Sequence, residues 1–242
     1  MKYRPFDYSG DFSHFSVEPQ ELKETLSHED KRLVELNISY PKPKQHFFEA
    51  KASDRVSAFY KKIADNFASY ARKRLFAQAK QFIKNKEMPF SAVMKYIPTY
   101  ENDALISIVI DAFVFYNEQR SITKRLAHIF LKTKFGILTF NDFFSKAEKG
   151  QIIDFITAEY LAQGKLPDND SKSKETPEAL VRKHFNEKNF FLTPNGYAFY
   201  FEAGTLMGGT MPQVYIIPYS TIASDITKSF ITSNTPIYEM QE

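Results

Sequence analysis

The chain has 242 residues, of which 43% are hydrophobic and 25% are charged, and this composition is typical of a folded globular protein rather than a disordered one. It has no cysteine, so disulfide bonds, thiolate nucleophiles and thiolate zinc sites are all excluded. The formal net charge is only +3, from 32 Lys and Arg against 29 Asp and Glu, so the overall charge does not indicate a nucleic-acid or anionic membrane partner.

No segment of the sequence has the pattern of a secretion signal or of a membrane anchor. Residues 1–20 lack the uninterrupted apolar stretch of a secretory signal. The most apolar run, Ala104–Tyr116, contains Ser107 and Asp111 and is too short to cross a bilayer. We therefore expect a cytoplasmic protein as the chain is written, or an extracellular or envelope protein if a leader peptide has been removed from it.

The first elements lie before residue 41. A short helix is predicted near Pro19–Leu26. Apolar and polar residues then alternate over Arg32–Tyr40, which predicts a half-buried strand of an antiparallel sheet. Pro41 and Pro43 are predicted to end this strand, because proline cannot donate to a sheet ladder.

The longest predicted element is a helix that begins with Ser53 as its N-cap and continues to about Lys86. This segment contains neither Gly nor Pro, and apolar residues recur in it at helical spacing. Its opposite face carries a basic set within about half of the helical wheel. The set comprises Lys61, Lys62, Arg72, Lys73, Lys80, Lys84 and Lys86. Such a face could bind phosphates, although basic faces of long helices are usually only solvated.

Three strands are predicted after the helix, at Val93–Tyr100, Ala104–Tyr116 and Ile122–Thr133. Short polar turns separate them, so we expect a meander. Both faces of the central strand are largely apolar, and the long helix is the natural cover for one of them. Asp111 interrupts this strand. An ionised carboxylate there needs a cationic partner such as a neighbouring Arg or Lys, or its pKa is raised.

The C-terminal part contains a helix, a polar connection and a hairpin. A helix is predicted over about Lys149–Gln163, and a second begins with Thr176 as its N-cap. A hairpin is predicted around Pro194-Asn195-Gly196, because Asn-Gly tolerates the backbone angles of tight turns. A last strand is predicted at Gln213–Pro218. Earlier in the chain, Asp142 is expected to accept backbone N–H bonds at a turn.

We predict a single α+β domain over residues 33–242, preceded by an N-terminal extension at residues 1–32. Its antiparallel meander sheet packs against one long amphipathic helix, and a C-terminal helix and β-hairpin unit follow. The polar loop 164–175 could divide the domain into two subregions, residues 33–163 and 176–242.

Motifs for catalysis, cofactors and metals are missing from the sequence. The five histidines are scattered, and none forms the i, i+4 pair that places two imidazoles around a metal ion. His128 lies on an alternating strand and is expected to be a structural residue of the sheet. No phosphate loop, dinucleotide fingerprint or nucleophile elbow occurs. We therefore expect no catalytic residue, no metal and no cofactor.

The C-terminal hairpin carries a family resemblance. The segments Asn189–Phe201 (NFFLTPNGYAFYF) and Gln213–Ser220 (QVYIIPYS) resemble the RsiV-like bacterial domain of unknown function, DUF3298, found in the anti-sigma factor RsiV and beside the catalytic domain of the peptidoglycan deacetylase PdaC. Weaker likeness extends over Val34–Asp225, including Gly136–Phe144. The loop Glu202–Pro212 departs from the family pattern, in which a tyrosine- and proline-rich stretch is common.

This resemblance implies an α+β fold and a non-enzymatic role as a bacterial sensor or protein-binding domain, similar to the lysozyme-sensing domain of RsiV. The partner it implies is a protein or a cell-wall-related ligand. One alternative is anion or nucleic-acid binding through the basic helix face, although we do not expect nucleic acid. A second alternative is a hydrolase of cell-wall glycans or peptides that uses carboxylates not marked by any motif.

The loop after the hairpin is the candidate binding site. It contains three of the eight glycines together with adaptable apolar side chains, a combination suited to a binding surface. The candidate residues are Glu202, Gly204, Thr205, Leu206, Met207, Gly208, Gly209 and Met211. An alternative interpretation is a wide loop whose Leu and Met side chains cap the core.

Hydrogen exchange distinguishes these interpretations. If the loop binds a partner, amides of Ala203–Pro212 should exchange fast in the free protein and slowly in the complex, because the partner excludes water from them. Strong protection already in the free protein, with Leu206, Met207 and Met211 buried, would instead identify the loop as core.

Overall fold

The computed structural model describes residues 12–82, 89–117, 120–163 and 175–222. Within these ranges the chain forms a six-stranded sheet, a three-stranded sheet and several helices. The strands are β1 (Val17–His28), β2 (Lys31–Pro43), β3 (Phe90–Glu101), β4 (Leu105–Asn117), β5 (Arg120–Leu131), β6 (Ile137–Leu138), β7 (Phe190–Thr193), β8 (Gly196–Phe201) and β9 (Gln213–Ile217). The α-helices are α1 (Ala50–Tyr70), α2 (Phe76–Gln81), α3 (Phe140–Phe143), α4 (Lys146–Ala162) and α5 (Pro177–His184). The predicted α+β fold is confirmed.

The six strands of the large sheet are ordered as in the sequence, from β1 to β6. All neighbouring pairs are antiparallel except β2 and β3, which are parallel over Val34–Ile38 and Phe90–Met94. Parallel neighbours need a long crossover, and the long helix supplies it. The predicted meander of β3, β4 and β5 is confirmed.

The N-terminal part differs from the prediction. Pro19–Leu26 lies in β1, so the predicted short helix is wrong. Leu22 and Leu26 are four residues apart, a spacing that places them on one face of either a helix or a strand. The segment forms a strand because it pairs with β2. The predicted boundary at residue 33 lies inside this hairpin, because β1 and β2 belong to one sheet.

The two prolines do not end β2. Pro41 and Pro43 are opposite Pro19 and Val17 of β1, and the strand continues to Pro43. Nothing in β3 pairs with this end of β2, because the register of the two strands covers only Val34–Ile38 of β2. The prolines are therefore tolerated at an edge where they interrupt few ladder hydrogen bonds.

The long helix consists of α1, a π-helical turn at Ala71–Leu75, and α2. It begins at Ala50 with Glu49 as its N-cap, so the prediction that Ser53 caps it is wrong. Its buried positions are mostly small, and small side chains allow a helix to lie close to a sheet. They are Ala52, Val56, Tyr60, Ala64, Ala68, Ala71, Leu75 and Ala79. Not one helix in the described ranges is long and apolar enough to cross a bilayer.

The large sheet is covered on both faces. Ile108 and Ile110 of β4 share a core with the long helix. Val109, between them, packs against Phe191 and Tyr200 of the small sheet. Because successive strand residues point to opposite faces, the helix and the small sheet lie on opposite sides of β4. This explains why the sequence of β4 is apolar on both faces.

The C-terminal hairpin and turns follow the predicted chemistry. At Gly196 the backbone φ is +155°, and a Cβ atom there would lie only 2.1 Å from the carbonyl oxygen of Ile217. Only glycine fits this position. The Asp142 carboxylate accepts hydrogen bonds from the Thr139 backbone N–H (2.6 Å) and side-chain hydroxyl (2.7 Å), which confirms its structural role at a turn.

A buried polar network fixes one end of the large sheet. The Glu101 carboxylate forms an ion pair with Lys132 and accepts a hydrogen bond from the Ser16 backbone N–H at 2.8 Å. All three residues are buried. Buried charges are stable only when they are paired and hydrogen-bonded, so this network ties the ends of β3 and β5 to the chain before β1.

His128 lies on the face of β5 that packs under the long helix, as expected for a structural sheet residue. Its ring centroid is 4.9 Å from that of Phe59 and 5.7 Å from that of Tyr60. Its Nδ1 is buried and has no hydrogen-bond partner among the described residues. Burial disfavours the charged imidazolium and lowers the pKa of His128 from 6.5 to about 4.

This burial predicts a pH-dependent stability. Between pH 6.5 and about 4 the unfolded chain binds a proton that folded His128 does not, so the free energy of unfolding falls as the pH falls. From pH 7.5 to pH 5 the contribution of His128 should be a loss of about 2 kcal/mol. Urea denaturation at both pH values measures it. His128→Phe keeps an aromatic ring and should remove this part of the pH dependence; an unchanged dependence in the variant would contradict the assignment.

Candidate functional site

A cleft of about 710 Å³ lies between β5 and the C-terminal elements. Its walls come from Lys124–Ile129 of β5, from Ile137–Asn141, from the segment Asn186–Phe190 before and in β7, and from Tyr200 and Glu202. This volume is within the range of ordinary ligand sites. The cleft therefore has the size and the mixture of apolar and polar walls that a binding site requires.

One wall of the cleft is the outer edge of β5. Strand β6 is only two residues long and pairs with β5 only at Ile129 and Phe130. No other strand in the described part of the chain pairs with this edge. The unpaired N–H and C=O groups of a strand edge can pair with the backbone of another chain. This wall of the cleft can therefore form backbone hydrogen bonds with a ligand.

The backbone alternation shows which groups of β5 face outward. The Leu131 N–H donates to the Gly136 carbonyl outside the sheet, and the Arg125 carbonyl accepts from the Tyr200 hydroxyl at 3.1 Å. In an antiparallel strand, alternate residues direct their N–H and C=O groups to the same side. Ala127 lies between these positions in the same alternation. Its backbone N–H and C=O therefore point toward the cleft.

Asn189 contributes a side-chain amide that opens onto the cleft. Its backbone is fixed, because its N–H donates to the Asn186 carbonyl at 2.8 Å and its carbonyl accepts from the Tyr200 N–H at 2.9 Å. The residue is only 7% exposed, and its side-chain amide makes no hydrogen bond to any described residue. Neither amide atom is among the fully buried unpaired groups, so solvent reaches the amide from the cleft. Asn189 therefore offers one wall of the cleft an unused donor and an unused acceptor.

Glu202 contributes a half-buried carboxylate. Burial raises its pKa, an effect opposed by the positive charges of Lys124 and Arg125 and reinforced by Asp111. Among the described residues, no cation forms an ion pair or hydrogen bond with this carboxylate. A partly desolvated anion without a direct partner is unfavourable in the free protein. A cation brought by a ligand would relieve this cost.

A buried ion pair between Asp111 and Arg125 lies next to the cleft. Asp111 and Arg125 are opposite each other on β4 and β5, and both side chains are fully buried. The Arg125 Nε and Nη2 donate to the two carboxylate oxygens at 2.8 and 2.5 Å. The predicted pairing of Asp111 with a neighbouring basic residue is confirmed. The guanidinium lies 5.9 Å from the ring centroids of Phe191 and Tyr200, so the pair also supports the small sheet.

The predicted loop residues border this cleft, but only Glu202 lines it. Leu206 is buried, and its carbonyl accepts a hydrogen bond from the Tyr160 hydroxyl, so this side chain is withdrawn from the surface. The Met211 sulfur accepts a 3.6 Å hydrogen bond from Thr123 of β5. The other loop candidates are exposed or half-buried beyond the end of the cleft. They are Gly204, Thr205, Met207, Gly208 and Gly209.

The predicted basic face of the long helix is partly neutralised. Lys61 is paired with Asp65 at 2.7 Å and Arg72 with Glu24 at 2.6 Å. The Lys80 ammonium lies 4.8 Å from the ring centroid of Phe76. Lys62 and Lys73 are exposed. Lys84 and Lys86 lie outside the described residues.

Sequence reasoning missed the cleft itself. The hairpin prediction placed Asn189 and Tyr200 on paired strands, but no local pattern indicates that they lie beside β5. Tyr200 bonds to Arg125 of β5, which is more than seventy residues earlier in the chain. In the described ranges, no three potential metal ligands lie close enough to share an ion. The cleft therefore has binding chemistry built from backbone groups, an amide and a carboxylate.

Two solved structures share this fold. A DUF3298 family protein from Bacteroides fragilis NCTC 9343 is 15% identical, with a TM-score of 0.58 over 86% of this chain and 91% of that chain. A DUF3298 family protein from Pseudomonas aeruginosa PAO1 is 13% identical, with a TM-score of 0.54 over 86% and 93%. At these identities the likeness shows the fold alone. No protein-family model matches the sequence, and no curated protein matches it.

Disrupting the buried pair should destabilise the protein strongly. Asp111→Ala leaves the Arg125 cation buried without its carboxylate and should lower the free energy of unfolding by about 3 to 5 kcal/mol. Asp65→Ala breaks the exposed pair with Lys61 and should leave the free energy of unfolding nearly unchanged. Replacing both members of the buried pair by Leu should restore part of the lost stability. Denaturant titration checks this, and equal small costs for Asp111→Ala and Asp65→Ala would contradict it.

Proposed function

We propose that this protein is a non-enzymatic binding domain that recognises another protein, and that the cleft beside β5 receives an extended segment of that partner. The observation that carries this proposal is the Asn189 carboxamide, which has no hydrogen-bond partner among the described residues and lines the cleft together with the open edge of β5. An amide without a protein partner, on a fixed backbone, can form hydrogen bonds with a complementary ligand that enters the cleft.

A peptide is the ligand that matches these groups. Each peptide unit carries one N–H donor and one C=O acceptor. The Ala127 backbone and the Asn189 carboxamide likewise each offer one donor and one acceptor, on two walls of the same cleft. Adding a backbone to a strand edge gives affinity through hydrogen bonds, while adjacent side-chain pockets give specificity.

The apolar part of the lining supports the same conclusion. Leu126, Leu138 and Phe190 contribute to the walls, and Phe190 is buried within the aromatic core of the small sheet. Rigid apolar walls with a few polar groups are typical of recognition sites. The resemblance of the hairpin to RsiV-like domains also favours protein recognition, and a sensor role is the form of it that we propose.

The alternatives have weaker support. The Asp111 carboxylate, the strongest candidate for a hydrolase, is buried and bonded to Arg125 through both oxygens. On the long helix, two of the predicted anion-binding residues, Lys61 and Arg72, are already paired with carboxylates. The cleft therefore has stronger support than either alternative.

The test selects peptides from a random-peptide phage library on the folded protein. Selected peptides should shift the backbone NMR signals of Ala127 and Asn189. Asn189→Ala should weaken their binding about tenfold, which corresponds to two lost hydrogen bonds of about 0.5 to 1.5 kcal/mol each. Asn195→Ala, in the exposed turn between β7 and β8, is the matched control and should bind as the wild type does.

Two results would overturn the proposal. One is a failure to select any peptide that shifts the signals of the cleft. The other is a set of bound peptides whose affinities are the same for Asn189→Ala and for Asn195→Ala. A thermal melt of both variants shows whether each is folded, so that loss of binding is not mistaken for loss of structure.

A further inference from the structure

The charges that line the cleft are not equivalent. Glu187 is engaged with Lys149 at 2.6 Å, and Arg125 is engaged with Asp111. Lys124 and Lys188 are exposed and form no ion pair among the described residues, and the charge of Lys124 acts on Glu202 only from a distance, without a direct contact. Glu202 is the lining residue that is both half-buried and without an ion pair among the described residues.

Burial decides which charge a ligand exploits. Exposed ion pairs contribute little free energy, because water solvates both ions and the long side chains lose entropy when they pair. An acidic group that approached Lys124 or Lys188 would form such a pair. A cation that reached Glu202 would form a shielded, charge-assisted hydrogen bond, which is stronger. The cleft therefore favours a basic group over an acidic one.

The position of Glu202 relative to Asn189 sets the spacing of the ligand. Phe190 is opposite Phe199, which places Asn189 opposite Tyr200, and their side chains share one face of the small sheet. Glu202 follows Tyr200 by two residues, directly after the end of β8, and lines the same cleft as Asn189 and Tyr200. Two strand residues span about 7 Å. Asn189 and Glu202 therefore lie about one dipeptide repeat apart along the sheet.

We infer that the segment held in this cleft carries a lysine or arginine side chain, that Glu202 binds this cation, and that Asn189 binds a peptide unit one or two residues away. This inference rests on the proposed function and specifies the chemistry of the partner. A lysine ammonium or an arginine guanidinium supplies only donors, and the Glu202 carboxylate supplies only acceptors. The Asn189 amide, with both, suits the neutral backbone instead.

The experiment is a double-mutant cycle on peptides selected from the same phage library. Peptides that bind the cleft should contain Lys or Arg at a fixed position. Glu202→Gln should weaken their binding at least about tenfold, and replacing the basic residue of the peptide by Met should weaken it similarly. The two changes together should cost little more than either alone, because both remove the same contact.

Two controls separate this contact from general electrostatics. Glu187→Gln removes a cleft carboxylate that already has a partner, and it should leave peptide affinity nearly unchanged. Glu202→Lys should reject the selected peptides and should bind versions in which Glu replaces the basic residue. If Glu202 only stabilised the fold, exchanging the charges of Glu202 and of the peptide residue would not restore peptide binding.

The outcomes distinguish the inference from the proposed function. If peptides bind the cleft and depend on Asn189, but carry no basic residue that couples to Glu202, the inference fails and the proposed function stands. Selection of acidic peptides that depend on Lys124 or Lys188 would also overturn the inference. If no peptide binds at the cleft, the proposed function fails, and the inference fails with it.

Discussion

The buried ion pair between Asp111 and Arg125 fixes how the two sheets of this protein meet. Both side chains are fully excluded from water, so each charge depends on the other and on the geometry that joins them. The pair sits on neighbouring strands, and the aromatic rings of Phe191 and Tyr200 pack over the guanidinium. The small sheet therefore lies where it can shield this pair, and it cannot shift along β5 without exposing a charge.

The cleft is a consequence of that arrangement. The small sheet is anchored over the Asp111–Arg125 pair, and its Tyr200 hydroxyl bonds to the carbonyl of Arg125 at the strand edge. Strand β6 protects the same edge only near Ile129. Between these two contacts the edge of β5 is left open. Strand edges are usually covered or blunted. An open stretch of edge beside the unpaired Asn189 amide therefore favours the binding of a ligand backbone.

Several elements could be predicted because their signals are local. The alternation of apolar and polar residues predicted the meander, and the Asn195-Gly196 turn predicted the hairpin. The short carboxylate of Asp142 indicated a turn. The strand β1 could not be predicted, because the spacing of Leu22 and Leu26 fits a helix and a strand equally well. Ser53 failed as an N-cap for a related reason: the helix begins at Ala50 without any side-chain cap, since packing against the sheet stabilises its first turn.

The sequence by itself determined the meander, the C-terminal hairpin and the long helix, and it indicated that Asp111 needs a basic partner and that the loop containing Glu202 is a candidate site. Only the tertiary structure decided that Leu206 is core, that the Asn189 amide has no hydrogen-bond partner among the described residues, and that Asn189 and Glu202 line the cleft beside the open edge of β5. The physical reason is the range of the interactions. Periodicity and turn chemistry act over a few residues, whereas burial of a polar side chain depends on which distant segments fold over it.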